Sequence, residues 1–280
     1  MSVSARRGRR GIAAGIATIS LVLTALVHSV AAAPQPTPRI IGGVPADFGE
    51  YPFMVALLLE SREGTDFDKQ YCGGSLIASR WVLTAAHCVD FLDGPEEVTV
   101  AVARTNLDST EGQRIAVREF YIHPDWDPSI ISPDVALLEL AKPVKGVAPI
   151  QLAGPSDDSF EAAGTLLTVI GWGNTSTTGQ ASFPDELREV VVPVVDDATC
   201  DFAYQGFVTV ETQLCAGMKG IDSCGGDSGG PLFATTSGGT EIQVGIVSYG
   251  IGCAKQHFPG VYTEVNSPTV REFIADVAGV

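Results

Sequence analysis

Towards the C-terminal end of the chain a serine stands in a run of glycines, Cys224-Gly225-Gly226-Asp227-Ser228-Gly229-Gly230-Pro231. Glycine takes positive φ without a Cβ penalty, so such a run can turn tightly and lift one hydroxyl clear of its surroundings. It also leaves the N–H groups of Gly226 and Ser228 free to converge on a point where an oxyanion could sit. The chemistry this would serve is nucleophilic attack on a carbonyl. A plain surface loop has the same composition, and the run by itself leaves both readings open.

A serine hydroxyl attacks at neutral pH only when a base takes its proton, and that base needs an orienting partner. Beyond residue 39 the histidines are His87, His123 and His257. His87 ends an apolar run, Trp81-Val82-Leu83-Thr84-Ala85-Ala86-His87-Cys88, in which Ala85 and Ala86 leave room around an imidazole. An acid stands at Asp134, directly before the apolar Val135-Ala136-Leu137-Leu138-Glu139-Leu140. A carboxylate at the head of such a strand is expected to be partly buried, and then needs partners such as an imidazole N–H. A core histidine beside a disulfide and a turn-forming aspartate are the alternatives.

In the order His87, Asp134, Ser228 these segments resemble trypsin-like serine proteases of the chymotrypsin fold. The resemblance runs from Ile40 almost to Val280. Gly171-Trp172-Gly173, Cys215-Ala216-Gly217 and Pro259-Gly260-Val261-Tyr262 match further signatures of that family. It implies an all-β fold of two six-stranded antiparallel barrels with a C-terminal helix, and a secreted endopeptidase working through His87, Asp134 and Ser228. The oxyanion hole would be the N–H groups of Gly226 and Ser228. Asp222, six residues before Ser228, falls at the floor of the primary pocket, with Ser223 beside it and Gly250 and Gly260 in its walls. A carboxylate there implies protein or peptide substrates with Arg or Lys before the cleaved bond; a turn-capping role is the alternative for Asp222. Tyr204 also matches the family's residue type. Tyr249 stands where tryptophan is usual, Gly225 where a longer residue is, and Ser132-Pro133 where two asparagines are frequent, departures that bear on subsites. A silent binding protein of the same fold, or a protease with collagenolytic or apolar preference, are the competing functions.

These residues must be positioned by many short strands. Gly (31) and Pro (17) are abundant enough to supply the turns. Apolar runs at Phe53–Leu59, Trp81–Ala86, Val98–Val102, Val135–Leu140, Leu166–Ile170, Val190–Val195 and Ile242–Val247 read as strands. Only the last segment reads as a helix, with Ser267 as N-cap, Pro268 first, and Val270, Phe273, Ile274 and Val277 on one face. It is expected to pack on the second barrel. The first barrel is expected over about 40–150, the second over about 151–266 and the helix over about 267–278. Six cysteines with an export signal imply three disulfides, and spacing leaves fifteen pairings open. By resemblance they are Cys72–Cys88, Cys200–Cys215 and Cys224–Cys253.

Arg6, Arg7, Arg9 and Arg10 precede an uncharged, mostly apolar stretch from Gly11 to Val27 and then small residues, the pattern of a signal peptide over 1–31. A membrane anchor is the alternative, for which the stretch is short. Residues 32–39 read as an activation segment ending at Arg39. By resemblance, a cut there frees Ile40, whose ammonium pairs with Asp227; a linker that happens to hold Arg39 is the alternative. The first 39 residues hold five arginines and no acid, so the remainder has 12 basic against 33 acidic residues, a formal net of −21. That excludes nucleic acid and anionic membrane as natural partners and would draw in cationic substrates. Protein protease inhibitors are further expected partners, and the enzyme is expected to be a monomer. Arg104 and Gly112 fall where animal relatives have acids in a calcium loop, so no metal or cofactor is expected.

Overall fold

The computed structural model describes residues 1–4, 40–176 and 179–280, so the expected leader, the activation segment and Arg39 itself lie outside the described residues. The first half of the described chain forms β1 (Met54–Leu59), β2 (Gln70–Ala78), β3 (Trp81–Thr84), β4 (Val98–Val102), β5 (Gln113–Ile122) and β6 (Ala136–Leu140). They close in the order β1-β2-β3-β6-β5-β4. The second half forms β7 (Leu166–Gly171), β8 (Arg188–Val195), β9 (Gln213–Ala216), β10 (Pro231–Thr235), β11 (Glu241–Tyr249) and β12 (Gly260–Glu264), closing as β7-β8-β9-β12-β11-β10. Strand for strand the two orders are the same. The chain is thus built on one topology used twice, as two antiparallel six-stranded barrels.

Why these residues form closed barrels is visible in their burial. β1 buries five consecutive residues from Met54 to Leu58, and β6 buries all but Glu139. Closure leaves few edges, so an apolar strand is covered on one face by barrel interior and on the other by loops or the partner barrel. β5 differs, alternating buried Ile115 and Val117 with exposed Arg114, Ala116 and Arg118, because its outer face meets water. Phe233 of the second barrel packs edge-on against Phe53 and Tyr51 of the first, at centroid distances of 5.7 and 5.5 Å. The seam between the barrels is therefore apolar at its base.

Residues near both ends of the 40–280 stretch cross that seam. Val44–Pro45 pairs with Arg188 and Glu189 of β8, tying the N-terminal segment to the second barrel. At the other end α1 (Pro268–Ala278) starts after Ser267 and stops at Gly279, which takes the left-handed conformation at φ 74°. Its buried Val270, Phe273 and Ile274 join the core of the first barrel, against β6. This corrects the expectation that the helix covers the second barrel: its period identifies an apolar face but not the surface that face meets. Ser267 holds the expected N-cap position ahead of Pro268, but its Oγ donates to Glu211 O at 2.7 Å and makes no capping bond to the helix. His123 docks the helix. Its Nδ1 accepts from Asp125 N at 3.1 Å, which leaves Nε2–H to donate to Thr269 O at 3.3 Å, and its ring lies 5.1 Å from that of Phe273. Phe273→Ala should therefore cost about 3–5 kcal/mol of stability in chemical denaturation, as expected for emptying a buried aromatic site.

Candidate active site

β3 and β6 run antiparallel with Thr84 opposite Ala136. His87 lies three residues past the end of β3 and Asp134 two before the start of β6, so this register sets them side by side. His87 Nδ1 donates to Asp134 Oδ2 at 2.7 Å, and His87 N donates to Asp134 Oδ1 at 3.0 Å. Asp134 is wholly buried. Its demand for donors is met further by Ser248, whose Oγ also donates to Oδ2. Ser248 was not singled out from the sequence; a lone hydroxyl ending the apolar Ile242–Val247 run was the available signal. Burial lowers the His87 pKa, but the hydrogen bond and charge of Asp134, with Asp90 adding, outweigh it and raise the pKa above the ordinary value.

Ser228 reaches the same place from the second barrel. Gly229 N donates to Val247 O at 2.8 Å and Gly230 N to Asp227 O at 2.9 Å, folding the loop back on itself. Gly73 N of the first barrel donates to Ser228 O at 2.7 Å, across the seam. Gly229 has φ 80°, and a Cβ there would sit 2.2 Å from Thr84 Oγ1 and 2.5 Å from Gly73 O, so no other residue fits. Gly226 is also left-handed at φ 100°, and Gln70 Nε2 donates to its carbonyl at 2.9 Å. The Cys72–Cys88 bond ties β2 to the His87 segment. Cys224–Cys253 ties the Ser228 loop to the segment 250–260, and Cys200–Cys215 completes the set. Among the described residues no hydrogen bond joins His87 Nε2 to Ser228 Oγ, a contact that commonly tightens only with substrate in place.

Beside Ser228 opens a cavity of about 260 Å³ lined by Asp222, Ser223, Gly250 and Gly260. Asp222 is 2% exposed. Its Oδ2 accepts from Ala254 N at 2.7 Å, while Oδ1 has no hydrogen-bond partner among the described residues. A Cβ on Gly260 would lie 2.8 Å from that free oxygen, so the glycine keeps the approach open. Ser223 Oγ and Tyr262 OH are 3.1 Å apart, and Tyr204 OH donates to Pro259 O at 2.5 Å, both bracing the wall. Desolvation raises the Asp222 pKa to about 7, against the lowering effect of backbone N–H groups including that of Ala254. Among the described residues no cation pairs with this carboxylate.

Asp227 faces the other way, wholly buried under Gly171 and Gly173. It accepts from Gly173 N at 2.8 Å and Cys224 N at 2.9 Å. A Cβ on Gly173 would fall 2.4 Å from its carboxyl carbon, and one on Gly171 2.2 Å from Oδ1, which is why Trp172 stands between two glycines. Burial raises the Asp227 pKa to about 6. Ile40 is buried in the core of the second barrel, and Ile41 O accepts from Asp222 N at 3.1 Å. Arg104, at the position considered for a calcium loop, donates from Nε to Glu111 O at 2.7 Å and from Nη1 to Asp66, so a guanidinium holds that loop.

Two barrels meeting at a glycine-bounded serine, a carboxylate-bound histidine and an open pocket define a hydrolase of the serine protease class. A family model described as Trypsin matches residues 40–274, and the chain belongs to the trypsin family. It is 40% identical to a trypsin of Saccharopolyspora erythraea over 81% of this chain and 94% of that protein. It is 35% identical to a trypsin-like protease of Streptomyces glaucescens over 99% of this chain and 96% of that one. It is also 39% identical to transmembrane protease serine 9 of Rattus norvegicus over 84% of this chain, spanning 21% of that protein. As a serine protease of this family it acts on protein or peptide substrates.

The state of Asp222 has a measurable consequence. For an amidinium ion to pair with this carboxylate, the carboxyl must first lose its proton below a pKa of about 7. Calorimetric affinity for benzamidine should therefore fall about tenfold per pH unit below 7 and level off above it. Asp222→Asn should remove that dependence.

Proposed function

We propose that the chain is exported behind residues 1–31, carries residues 32–39 as an activation segment, and after cleavage at Arg39 cuts peptide bonds following Arg or Lys. The observation that carries the specificity is the buried Asp222 with one oxygen unpartnered at the base of a glycine-walled pocket beside Ser228. A Lys or Arg side chain entering that pocket loses water and needs a compensating charge. Arginine can bind a carboxylate through two hydrogen bonds and lysine only as a point charge, so both fit with arginine modestly ahead.

In the proposed mechanism His87 Nε2 takes the Ser228 Oγ proton as Oγ bonds to the substrate carbonyl carbon. Asp134 holds Nδ1–H and stabilises the imidazolium, in keeping with the raised His87 pKa. The N–H groups of Gly226 and Ser228 receive the negative carbonyl oxygen. The imidazolium then protonates the leaving amine as the C–N bond breaks, and an acyl group stays on Oγ. Water attacks next with His87 again as base, and Ser228 Oγ leaves with the returned proton. Ser228→Ala should lower kcat by about four orders of magnitude or more with the fold intact. Asp222→Ser should cut kcat/KM on Arg peptides by several orders, while the unaltered enzyme should prefer Arg over Phe by about 10⁴ because Phe leaves the carboxylate unpaired. Equal cleavage of Phe and Arg peptides overturns the pocket assignment.

The activation reading rests on Asp227. It is buried, and among the described residues it has backbone donors but no cation. A free ammonium on Ile40, next to the apolar core that already takes its side chain, would supply the charge a buried carboxylate needs. The secreted precursor of Arg39→Gln should stay inactive after treatment with trypsin-like enzymes, whereas the unaltered chain should gain activity and read Ile-Ile-Gly-Gly by N-terminal sequencing. The three disulfides suit the oxidising conditions outside the cell.

A further inference from the structure

Ser248 and Tyr249 line two cavities. One is the Asp222 pocket; the other, of about 330 Å³, lies beside His87 and is walled by Asp90, Trp126, Pro128 and Ile131. Its walls combine flat apolar surface with one carboxylate. Trp126 Nε1 donates to Asp90 Oδ2 at 3.1 Å, which holds the carboxylate at the edge of the indole. Asp90 N donates to Ala86 O at 3.0 Å, so Asp90 rides on the same turn as His87. Ile131 is held at φ 52°, a costly conformation for a β-branched residue, with Gln213 Nε2 donating to its carbonyl at 2.8 Å. The wall is thus built, not incidental.

Charge distinguishes this cavity from a merely apolar one. Among the residues that line it Asp90 is the one carboxylate, and no lysine or arginine stands with it. An acidic side chain entering meets the repulsion of Asp90. An apolar one finds contact but leaves that field uncompensated. A Lys or Arg side chain lays its methylenes on Ile131 and Pro128 and brings its charge to Asp90 and the faces of Trp126 and Tyr249. Successive side chains of an extended peptide point to opposite sides, so neighbouring residues crossing the shared Ser248–Tyr249 wall reach the two cavities in turn.

We propose that this cavity takes a second cationic side chain, that of the residue immediately before the Arg or Lys in the Asp222 pocket, so that the enzyme favours paired basic residues. The inference rests on the Asp222 reading, and its test separates the two. Processed enzyme is assayed on fluorogenic peptides X-Arg with X as Lys, Arg, Leu, Pro or Glu. Lys and Arg at X should give kcat/KM about fivefold above Leu, with Glu weakest, the size expected for one exposed ion pair plus a cation–π contact. The advantage should shrink in 1 M salt. Asp90→Asn keeps an oxygen for the Trp126 N–H and should bring the Lys-to-Leu ratio towards one. A ratio reads selectivity, so a general loss of activity in the variant does not mimic the effect. Equal or better cleavage with Leu at X, or a Lys-to-Leu ratio unchanged in Asp90→Asn, overturns the second-cation site and leaves the Asp222 pocket standing. A wild-type enzyme that cleaves no Arg peptide overturns both.

Discussion

A carboxylate taken out of water must find donors or a counter-charge, and three buried aspartates organise this molecule around that demand. Asp134 is satisfied within the fold: an imidazole N–H, a backbone N–H and the Ser248 hydroxyl leave it nothing to seek. Asp227 has two backbone donors but no cation among the described residues. Asp222 has one oxygen bonded and, among the described residues, one bare. The series runs from complete to incomplete, and each step of incompleteness corresponds to a job. In the proposed function the finished aspartate orients a base, the half-finished one awaits a group delivered by processing, and the bare one awaits a substrate.

Glycine makes those burials possible. Gly171 and Gly173 give Asp227 its room, Gly260 keeps Asp222 reachable, and Gly229 lets the serine loop pass between Thr84 and Gly73. A Cβ at these positions would collide with a carboxylate or with backbone at under 3.0 Å. The glycines spread through the sequence therefore cluster in space around the reactive serine. The rest of the barrel architecture supplies rigidity. Residues on strand ends from both halves meet at one seam, and backbone hydrogen bonds such as Gly73 N to Ser228 O fix their spacing.

Much of this was legible in the sequence because its chemistry is local. The glycine run, the apolar strand before His87 and the apolar strand after Asp134 each carry their own pattern. The seven strands expected from continuous apolar runs coincide with strands of the structure. The others escaped for physical reasons. β2 is interrupted by Gly73 and Gly74, β5 sets exposed residues between its buried Ile115 and Val117, and β9, β10 and β12 open on Gln213, Pro231 and Gly260 with only a short apolar run behind them. Ser248 and Gln70 were hidden because their roles exist only where distant segments converge. The helix face was readable, but its docking partner was not. Repetition of one strand order in the two halves left no trace in residue identity that a pattern could detect, since topology depends on pairing and not on particular side chains.

The exchange of termini across the seam shapes how the protein comes apart. Residues 40–45 belong to the leading half of the chain yet lie on the trailing barrel, while the closing helix belongs to the trailing half and lies on the leading one. Each barrel wears the other's end. A cut in the 141–150 connection would yield two fragments, each missing part of its own covering and each holding a piece the other lacks. Such halves can complement one another but have no reason to persist singly. The molecule is laced, so it melts as a whole.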